Sequence, residues 1–235
     1  DAAVIDADGR VLKAVKRATT PEPIDGIRAA LDAVLAELDT SRVTKAMLGT
    51  THTANAIIQR KDLDRVGVLR LAAPSSLGVT PGVAWPRDIR DGVIGHVEIV
   101  HGGNEYTGKE IAPLDEAAIR RFAKEAVDKG CNAISVAGAF SPASPEHELR
   151  AAEILAEELG SNFSVSLSHQ VGSLGLLERE NATILNAALL TVAHRVVSGF
   201  EQALTGHGLA VDSYLTQNDG TLMTAEEARR FPVLT

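Results

Sequence analysis

Hydrophobic and polar positions along the chain predict strands and helices in alternation. Residues 131–140 are apolar on both faces, which is typical of a central strand, whereas residues 23–38 place apolar side chains at helical spacing. The turn at Asp8-Gly9 joins two short strands and predicts an opening β-hairpin. Residues 19–23 break its second strand, and a long loop rich in proline and glycine is expected at residues 72–91. Further strands are expected at residues 46–48, 66–71, 96–100, 164–168 and 214–216, and further helices at residues 54–59, 146–159 and 176–205 and around residues 119–126.

This alternation predicts an α/β fold with a mostly parallel or mixed sheet and helices on both faces. In open sheets of this kind, ligands bind beyond the carboxyl ends of the strands. Polar segments that follow strands are therefore expected to converge on one edge of the sheet. These segments are residues 50–55, 141–147, 169–173 and 217–220.

The stretch from residue 45 to residue 60 carries the densest candidate chemistry. A buried strand at residues 46–48 runs into a Gly-Thr-Thr turn and then a helix, which brings hydroxyls and free backbone N–H groups to one point. Such a turn can hold an anion or a polar ligand, or it can simply cap the helix through Thr51 or Thr53. Physical chemistry alone favours the cap, while the number of polar groups favours a site. Those groups are Thr50, Thr51, His52, Thr53 and Asn55.

The long helix at residues 176–205 begins with two acidic residues and continues with polar side chains among apolar ones. Glu180 is explained by the helix dipole, and Glu178 lies in the same first turn. Asn181, Thr183 and Asn186 need hydrogen-bond partners if the helix is buried. They bond neighbouring groups or face a ligand cleft, and the sequence favours neither alternative.

Further along, Asn218, Asp219 and Gly220 follow a strand with groups suited to recognition or to an ordinary turn. Of the seven histidines, His52 and His169 lie at strand ends, and none shows the short spacing of a metal site. No phosphate-binding P-loop, dinucleotide fingerprint or serine-hydrolase elbow is present.

Composition narrows the classes of function. The 235 residues are 45% hydrophobic, enough for one large domain or two small ones, and the charges sum to 23 − 31 = −8. Dispersed acidic residues argue against nucleic acid and anionic membranes as partners. No apolar run is expected to span a membrane and no signal peptide is seen, while the single Cys131 fits a reducing cytoplasm. The start in mid-strand and an ending in which residues 232–235 begin another strand suggest one lobe of a longer protein.

Seven segments together resemble the N-terminal half of the hydantoinase/oxoprolinase family, in its hydantoinase A (alpha-subunit) branch. They occur in the family's order and cover nearly the whole chain. The segments are VLKAVKRATTPEPIDGI, LGTTHTANAIIQR, AWPRDIR, HGGNEYTGKEIAPLD, AFSPASPEHE, LLERENATILNAAL and LTQNDGTLM.

The resemblance implies a lobe of the actin and sugar-kinase (ribonuclease H-like) fold and an ATP-dependent enzyme that uses Mg²⁺. It implies ring opening of a cyclic amide such as a hydantoin or 5-oxoproline through a phosphorylated intermediate, because phosphorylation turns a lactam oxygen into a leaving group. It also implies a cytoplasmic oligomer with a hydantoinase B (beta) subunit. A ketone carboxylase subunit on the same scaffold and a non-catalytic actin-like interaction module are the alternatives.

Residue by residue, the resemblance assigns catalytic roles to Thr51, His52 and Glu178. It assigns substrate binding to Thr50, Asn55, Asn186, Asn218 and Asp219, and cofactor binding to Thr183 and Gly220, with no metal ligand. It divides the chain into an N-terminal lobe at residues 1–175 and the start of the core at residues 176–235. The family's two Asp-x-Gly-Gly-Thr phosphate loops are expected before residue 1 and after residue 235, so this segment alone is expected to bind ATP poorly and to be inactive.

Overall fold

A computed structural model describes residues 1–18, 23–160 and 163–235. Nine strands occur in these residues: β1 (Ala2–Ile5), β2 (Val11–Val15), β3 (Lys45–Leu48), β4 (Val66–Ala73), β5 (Ile94–His101), β6 (Ala133–Gly138), β7 (Ser164–Leu167), β8 (Asp212–Thr216) and β9 (Leu222–Thr224). The helices described are α1 (Pro23–Leu35), α2 (His52–Gln59), α3 (Arg87–Val93), α4 (Glu116–Asp128), α5 (Glu146–Leu159), α6 (Ser168–Val171), α7 (Leu176–Gly206) and α8 (Ala225–Arg230).

The chain forms two compact units. The first, here called the hairpin unit, contains Asp1–His52, Ala193–Arg229 and Leu234–Thr235. The second, here called the parallel-sheet unit, contains Thr53–Val192 and Arg230–Val233. The division at residues 175 and 176 concerns the segments of the family and stays a prediction.

The hairpin unit contains two small sheets. β1 and β2 pair antiparallel, as the sequence predicts, and Gly9 in their turn has a φ of 79°. In the other sheet, β3 pairs parallel to β8, and β9 pairs antiparallel to β8. The core of the unit is formed by α1 and the end of α7, where Val34 and Leu35 pack with Phe200 and Leu204.

The parallel-sheet unit is built on four parallel strands in the order β5-β4-β6-β7. Because successive side chains of a strand point to opposite faces, β4 contributes to two cores. Leu69 and Leu71 pack with the cluster of α4 and α5, whereas Val66 and Val68 pack with α3 and the start of α7. The predicted arrangement of helices on both faces of a parallel sheet is therefore confirmed in this unit.

Several element predictions are confirmed, and others are wrong. α5 has the predicted bounds, and β6 is a buried inner strand as expected. The strand at residues 46–48 is present but not buried, because Met47 is exposed. The loop predicted at residues 72–91 is interrupted by the first residues of α3, and the strand expected at residues 232–235 is instead a 3-10 helix, Pro232–Leu234. The break predicted at residues 19–23 lies largely outside the described residues.

The expectation of a single sheet edge is also wrong. Residues 50–55 and 217–220 follow strands of the hairpin unit's mixed sheet, whereas residues 141–147 and 169–173 follow strands of the parallel sheet. The chain order of strands does not specify which strands pair. Two sheets therefore carry the segments that the sequence assigned to one.

Helix α7 departs from the prediction that no apolar run could span a membrane. Within the described ranges it is the one helix long and apolar enough by length and composition to do so. In this structure 72% of its most apolar stretch is buried inside the protein. A buried core helix can be as long and as apolar as a membrane span.

Candidate functional site

The carboxyl edge of the mixed sheet brings two predicted segments of the hairpin unit together. β3 and β8 are parallel neighbours with Leu48 opposite Leu215, so the residues that follow both strands lie at the same edge. Thr50, Thr51 and His52 follow β3, and the turn with Asn218, Asp219 and Gly220 follows β8.

Thr50 and His52 form a local hydrogen-bonded pair. The His52 backbone N–H donates to the Thr50 hydroxyl oxygen at 3.2 Å, and that oxygen lies 2.5 Å from His52 Nδ1. Burial lowers the pKa of His52, which favours a neutral ring near pH 7. In the tautomer that carries its proton on Nε2, Nδ1 accepts a hydrogen bond from the Thr50 hydroxyl and Nε2–H is left as a donor. In that tautomer the pair offers one imidazole donor, held by Thr50, at the start of α2.

The segment after β8 is a hairpin turn. Gly220 has a φ of 85°, and its N–H donates to the Gln217 carbonyl at 3.0 Å. Asp219 Oδ1 accepts hydrogen bonds from the hydroxyl and the backbone N–H of Thr221, and these bonds lower the pKa of Asp219. The turn interpretation from the sequence is confirmed, and it leaves an ionised carboxylate exposed at the edge.

The remaining predicted residues belong to the parallel-sheet unit. Asn55 and Glu178 are exposed, whereas Thr183 and Asn186 are buried. The Thr183 hydroxyl donates to the Arg179 carbonyl at 2.7 Å, as threonines in helices often do.

Asn186 connects three parts of the parallel-sheet unit. Its Nδ2 donates to the Ser166 hydroxyl at 3.0 Å and to the Arg230 carbonyl at 2.8 Å, while its oxygen accepts from the Val233 N–H at 3.3 Å. Of the two alternatives left by the sequence, bonding to neighbouring groups describes both Thr183 and Asn186. Their cofactor and substrate roles stay predictions.

A buried ion pair replaces the helix-dipole explanation of Glu180. Arg70 Nε donates to Glu180 Oε1 at 2.7 Å, and Arg70 Nη2 donates to Glu180 Oε2 at 2.5 Å. Arg70 Nη1 donates to the Val79 carbonyl at 2.5 Å. Both ionic side chains are fully buried, and the pair ties β4 to α7. The sequence signal for this pair is an arginine in the middle of an apolar strand.

A second polar network lies at the carboxyl edge of the parallel sheet, and of its members the sequence patterns indicate only His169. Glu148 Oε1 accepts from the Gly138 N–H at 2.7 Å and from the Ser168 hydroxyl at 2.5 Å. Glu148 Oε2 accepts from the His169 N–H at 3.0 Å and from His169 Nδ1 at 2.6 Å. Burial raises the pKa of Glu148, but these hydrogen bonds outweigh burial, and its pKa is lowered.

Arg179 completes this network. Its Nε donates to the Ser168 hydroxyl at 2.8 Å, and its Nη2 donates to the Gly138 carbonyl at 2.5 Å. Its Nη1 donates to the carbonyls of Ser173 and Leu174 at 2.7 and 3.0 Å. Burial lowers the pKa of Arg179 from its ordinary value, against the attraction of the nearby carboxylates. The guanidinium fixes the segment that joins α6 to α7.

Comparison with models of protein families assigns the chain to a family. The family model described as the hydantoinase/oxoprolinase N-terminal region matches residues 1–159, and the hydantoinase/oxoprolinase family model matches residues 179–235. The chain belongs to the hydantoinase/oxoprolinase family. The family predicted from the sequence is thereby confirmed. A comparison with curated proteins gave no match.

Two solved structures share the fold with this hydantoinase/oxoprolinase chain. The first is the nucleotide-free structure of acetone carboxylase, whose description concerns ATP-dependent acetone carboxylation. It is 19% identical in sequence, with a TM-score of 0.74, and the match covers 98% of this chain and 36% of the acetone carboxylase chain. The second is the ATP-dependent caprolactamase from Pseudomonas jessenii. It is 21% identical in sequence, with a TM-score of 0.72, and the match covers 95% of this chain and 34% of the caprolactamase chain. The present chain thus spans about a third of either protein, and the predicted α/β fold is confirmed.

The mixed-sheet edge is a partial fit for the ATP and Mg²⁺ that the family implies. Residues 49–52 and 217–221 supply hydroxyls, an imidazole, amides and one carboxylate, but no lysine or arginine to neutralise a triphosphate. In the part of the chain that the structure describes, no group of three or more His, Cys, Asp or Glu side chains could hold a metal ion. These segments suit a small polar ligand.

Proposed function

We propose that the intact protein uses ATP, with Mg²⁺, to open the ring of a cyclic amide such as a hydantoin or 5-oxoproline. The observation that carries this proposal is the family match over both parts of the chain. The fold shared with an ATP-dependent caprolactamase supports it, since caprolactam is itself a cyclic amide. A beta subunit, an oligomeric assembly and a cytoplasmic location belong to the same proposal.

Within this chain, the mixed-sheet edge supports the proposal through the groups it presents. We assign to His52 the tautomer in which Nε2–H is a donor suited to a carbonyl oxygen, and the exposed Thr51 lies beside it in the same turn. A fixed donor stabilises charge that develops on that oxygen in the transition state. Thr50 holds the imidazole in place, and the Asp219 carboxylate, which accepts from the hydroxyl and N–H of Thr221, is an acceptor at the same edge. Asn55, Glu178, Thr183 and Asn186 keep their proposed roles in the intact enzyme.

A second candidate function is the ATP-dependent carboxylation of a ketone. The observation that favours it is the fold shared with acetone carboxylase, at a TM-score of 0.74. A phosphorylated enolate and a phosphorylated lactam need similar surroundings. The groups at the mixed-sheet edge therefore serve both reactions.

Identification of the product separates the two functions. The intact protein, purified with any partner subunit, is incubated with ATP and either a cyclic amide or acetone with bicarbonate, and products are identified by mass spectrometry. The proposal predicts a product heavier than the cyclic amide by one water. Carboxylated ketone with intact cyclic amide would instead establish the carboxylase function.

A further inference from the structure

The Glu148–His169 pair has the arrangement of a carboxylate that orients an imidazole. Glu148 is completely buried, and its Oε2 lies 2.6 Å from His169 Nδ1. An ionised carboxylate only accepts hydrogen bonds, so Nδ1 carries the proton and donates it. In the neutral ring, the other nitrogen, Nε2, then has an open lone pair. The same tautomer logic operates in catalytic triads, where a buried carboxylate fixes the histidine.

The Glu148 carboxylate has enough hydrogen-bond donors without the His169 imidazole. Three other donors already reach the carboxylate, from Gly138, Ser168 and the backbone of His169. The His169 side chain keeps 16% of its surface exposed, and no described residue hydrogen-bonds to Nε2. The acceptor nitrogen is therefore held in one orientation while its lone pair is available to a ligand.

The loops fixed by this network carry two further signs of a ligand site. Phe140, in the loop after β6, has a φ of 51°, a conformation that a bulky residue rarely adopts and that clusters at functional positions. Phe140 and Leu174 also expose 37% and 62% of their surfaces. Arg179 bonds the carbonyls of Gly138 and Leu174, so both loops are held by one guanidinium. Small-molecule sites combine apolar side chains with a few directed polar groups, and these two loops supply exposed apolar side chains.

The structure assigns His169 as a ligand-binding residue whose Nε2 accepts a hydrogen bond from an N–H group of a small cyclic amide. Glu148 is its positioning residue. The class of ligand rests on the proposed function, because the ring N–H is the donor that such a substrate offers. The site lies wholly within the parallel-sheet unit and is distinct from the mixed-sheet edge.

Carbethoxylation by diethyl pyrocarbonate tests this assignment without a variant. The reagent acylates an accessible, unprotonated imidazole nitrogen, here Nε2, and peptide mass spectrometry of the intact protein locates the modified histidine. Saturating hydantoin, N-methylhydantoin or 5-oxoproline should slow modification of His169 at least fivefold. Modification of the exposed His101, at the carboxyl end of β5, should keep its rate and serves as the control.

The outcomes separate this inference from the proposed function. Protection of His169 by one of the rings supports the inference, whether or not that ring stimulates ATP hydrolysis. An unchanged rate of His169 modification with all three rings overturns it. If a ring that gives no protection still stimulates phosphate release, the proposed function stands and this inference alone fails.

Two variants test the division of roles. His169→Gln removes the acceptor nitrogen and should raise the KM for the ring at least tenfold, whereas His101→Gln should leave KM unchanged. Glu148→Gln should relax the tautomer, which ¹⁵N spectra of histidine-labelled protein report as a loss of the Nδ1–H signal of His169. An unchanged KM in His169→Gln, or an unchanged tautomer in a folded Glu148→Gln protein, would contradict the assignment.

Discussion

At the scale of single residues, loss of one partner of the buried Arg70–Glu180 pair should lower the free energy of unfolding strongly. Removing one partner of a buried pair leaves an uncompensated charge, which typically costs about 3–5 kcal/mol. We expect Glu180→Gln to lower the free energy of unfolding by about 3 kcal/mol in urea denaturation.

Glu178→Gln is the matched control for this prediction, because Glu178 lies two residues earlier on α7 and is exposed. Its substitution should change the free energy of unfolding by less than about 0.5 kcal/mol. Equal effects of the two substitutions would show that the Arg70–Glu180 pair does not contribute as the structure implies.

Glu148 makes stability depend on acid pH. Its pKa in the folded protein is lowered from the ordinary value of 4.5, so the unfolded chain binds more protons between the two values. The stabilisation is complete above about pH 4.5 and is lost as pH falls from there through the folded pKa. The difference in unfolding free energy between the wild type and Glu148→Gln should therefore shrink below about pH 4.5 in urea titrations. A difference that is constant from about pH 6 downwards would contradict this account.

The sequence could show only the local part of these residue networks. Thr50 and His52 are two positions apart, and the sequence predicts the polar turn that they form. Arg70 and Glu180 are 110 positions apart, so their pairing depends on which face of β4 meets α7. In the sequence Glu148 is an ordinary charge in the first turn of α5, because only the fold brings Ser168 and His169 to it.

At the scale of elements, the end of β5 depends on a close approach of two backbones. Gly103 has a φ of 80°, and a Cβ there would lie 2.3 Å from the Leu71 carbonyl oxygen. Gly130, after α4, has a similar φ of 75°, but a Cβ at that position would meet nothing within 4 Å. The two glycines thus separate the cost of the clash from the cost of the backbone conformation.

We expect Gly103→Ala to lower the free energy of unfolding by at least about 3 kcal/mol, and Gly130→Ala by about 1 kcal/mol. Urea denaturation of both variants measures the difference. Equal losses would show that β4 can move away from the loop after β5 at little cost.

Element boundaries follow from the sequence wherever local patterns define them. The sequence predicts α5 with its observed bounds because acidic first-turn residues and a terminal glycine mark its ends. The pairing of β3 with β8 could not be predicted from the sequence. It joins Lys45 to Asp212, and almost the whole parallel-sheet unit lies between these two residues along the chain. The exposure of Met47 also depends on strand pairing that the sequence does not show, because β3 lies at the edge of a three-stranded sheet.

At the scale of the whole molecule, the family match and the fold agree with the function proposed for the intact protein. In the proposed roles, His52 of the mixed-sheet edge is an imidazole donor and His169 of the parallel-sheet unit is an imidazole acceptor. A cyclic amide with a ring N–H carries both a carbonyl acceptor and a donor, and each imidazole, taken by itself, suits one of these two groups. Each unit therefore presents a group that suits the same class of substrate.

The most direct test is phosphate release from ATP by the intact protein with any partner subunit, measured with and without hydantoin, N-methylhydantoin or 5-oxoproline. The account predicts at least tenfold stimulation by one of these rings. It predicts that His52→Gln abolishes this stimulation, because one transition-state donor contributes about a hundredfold to the rate. ATP hydrolysis that no ring stimulates, or full ring-dependent release in His52→Gln, would contradict the account.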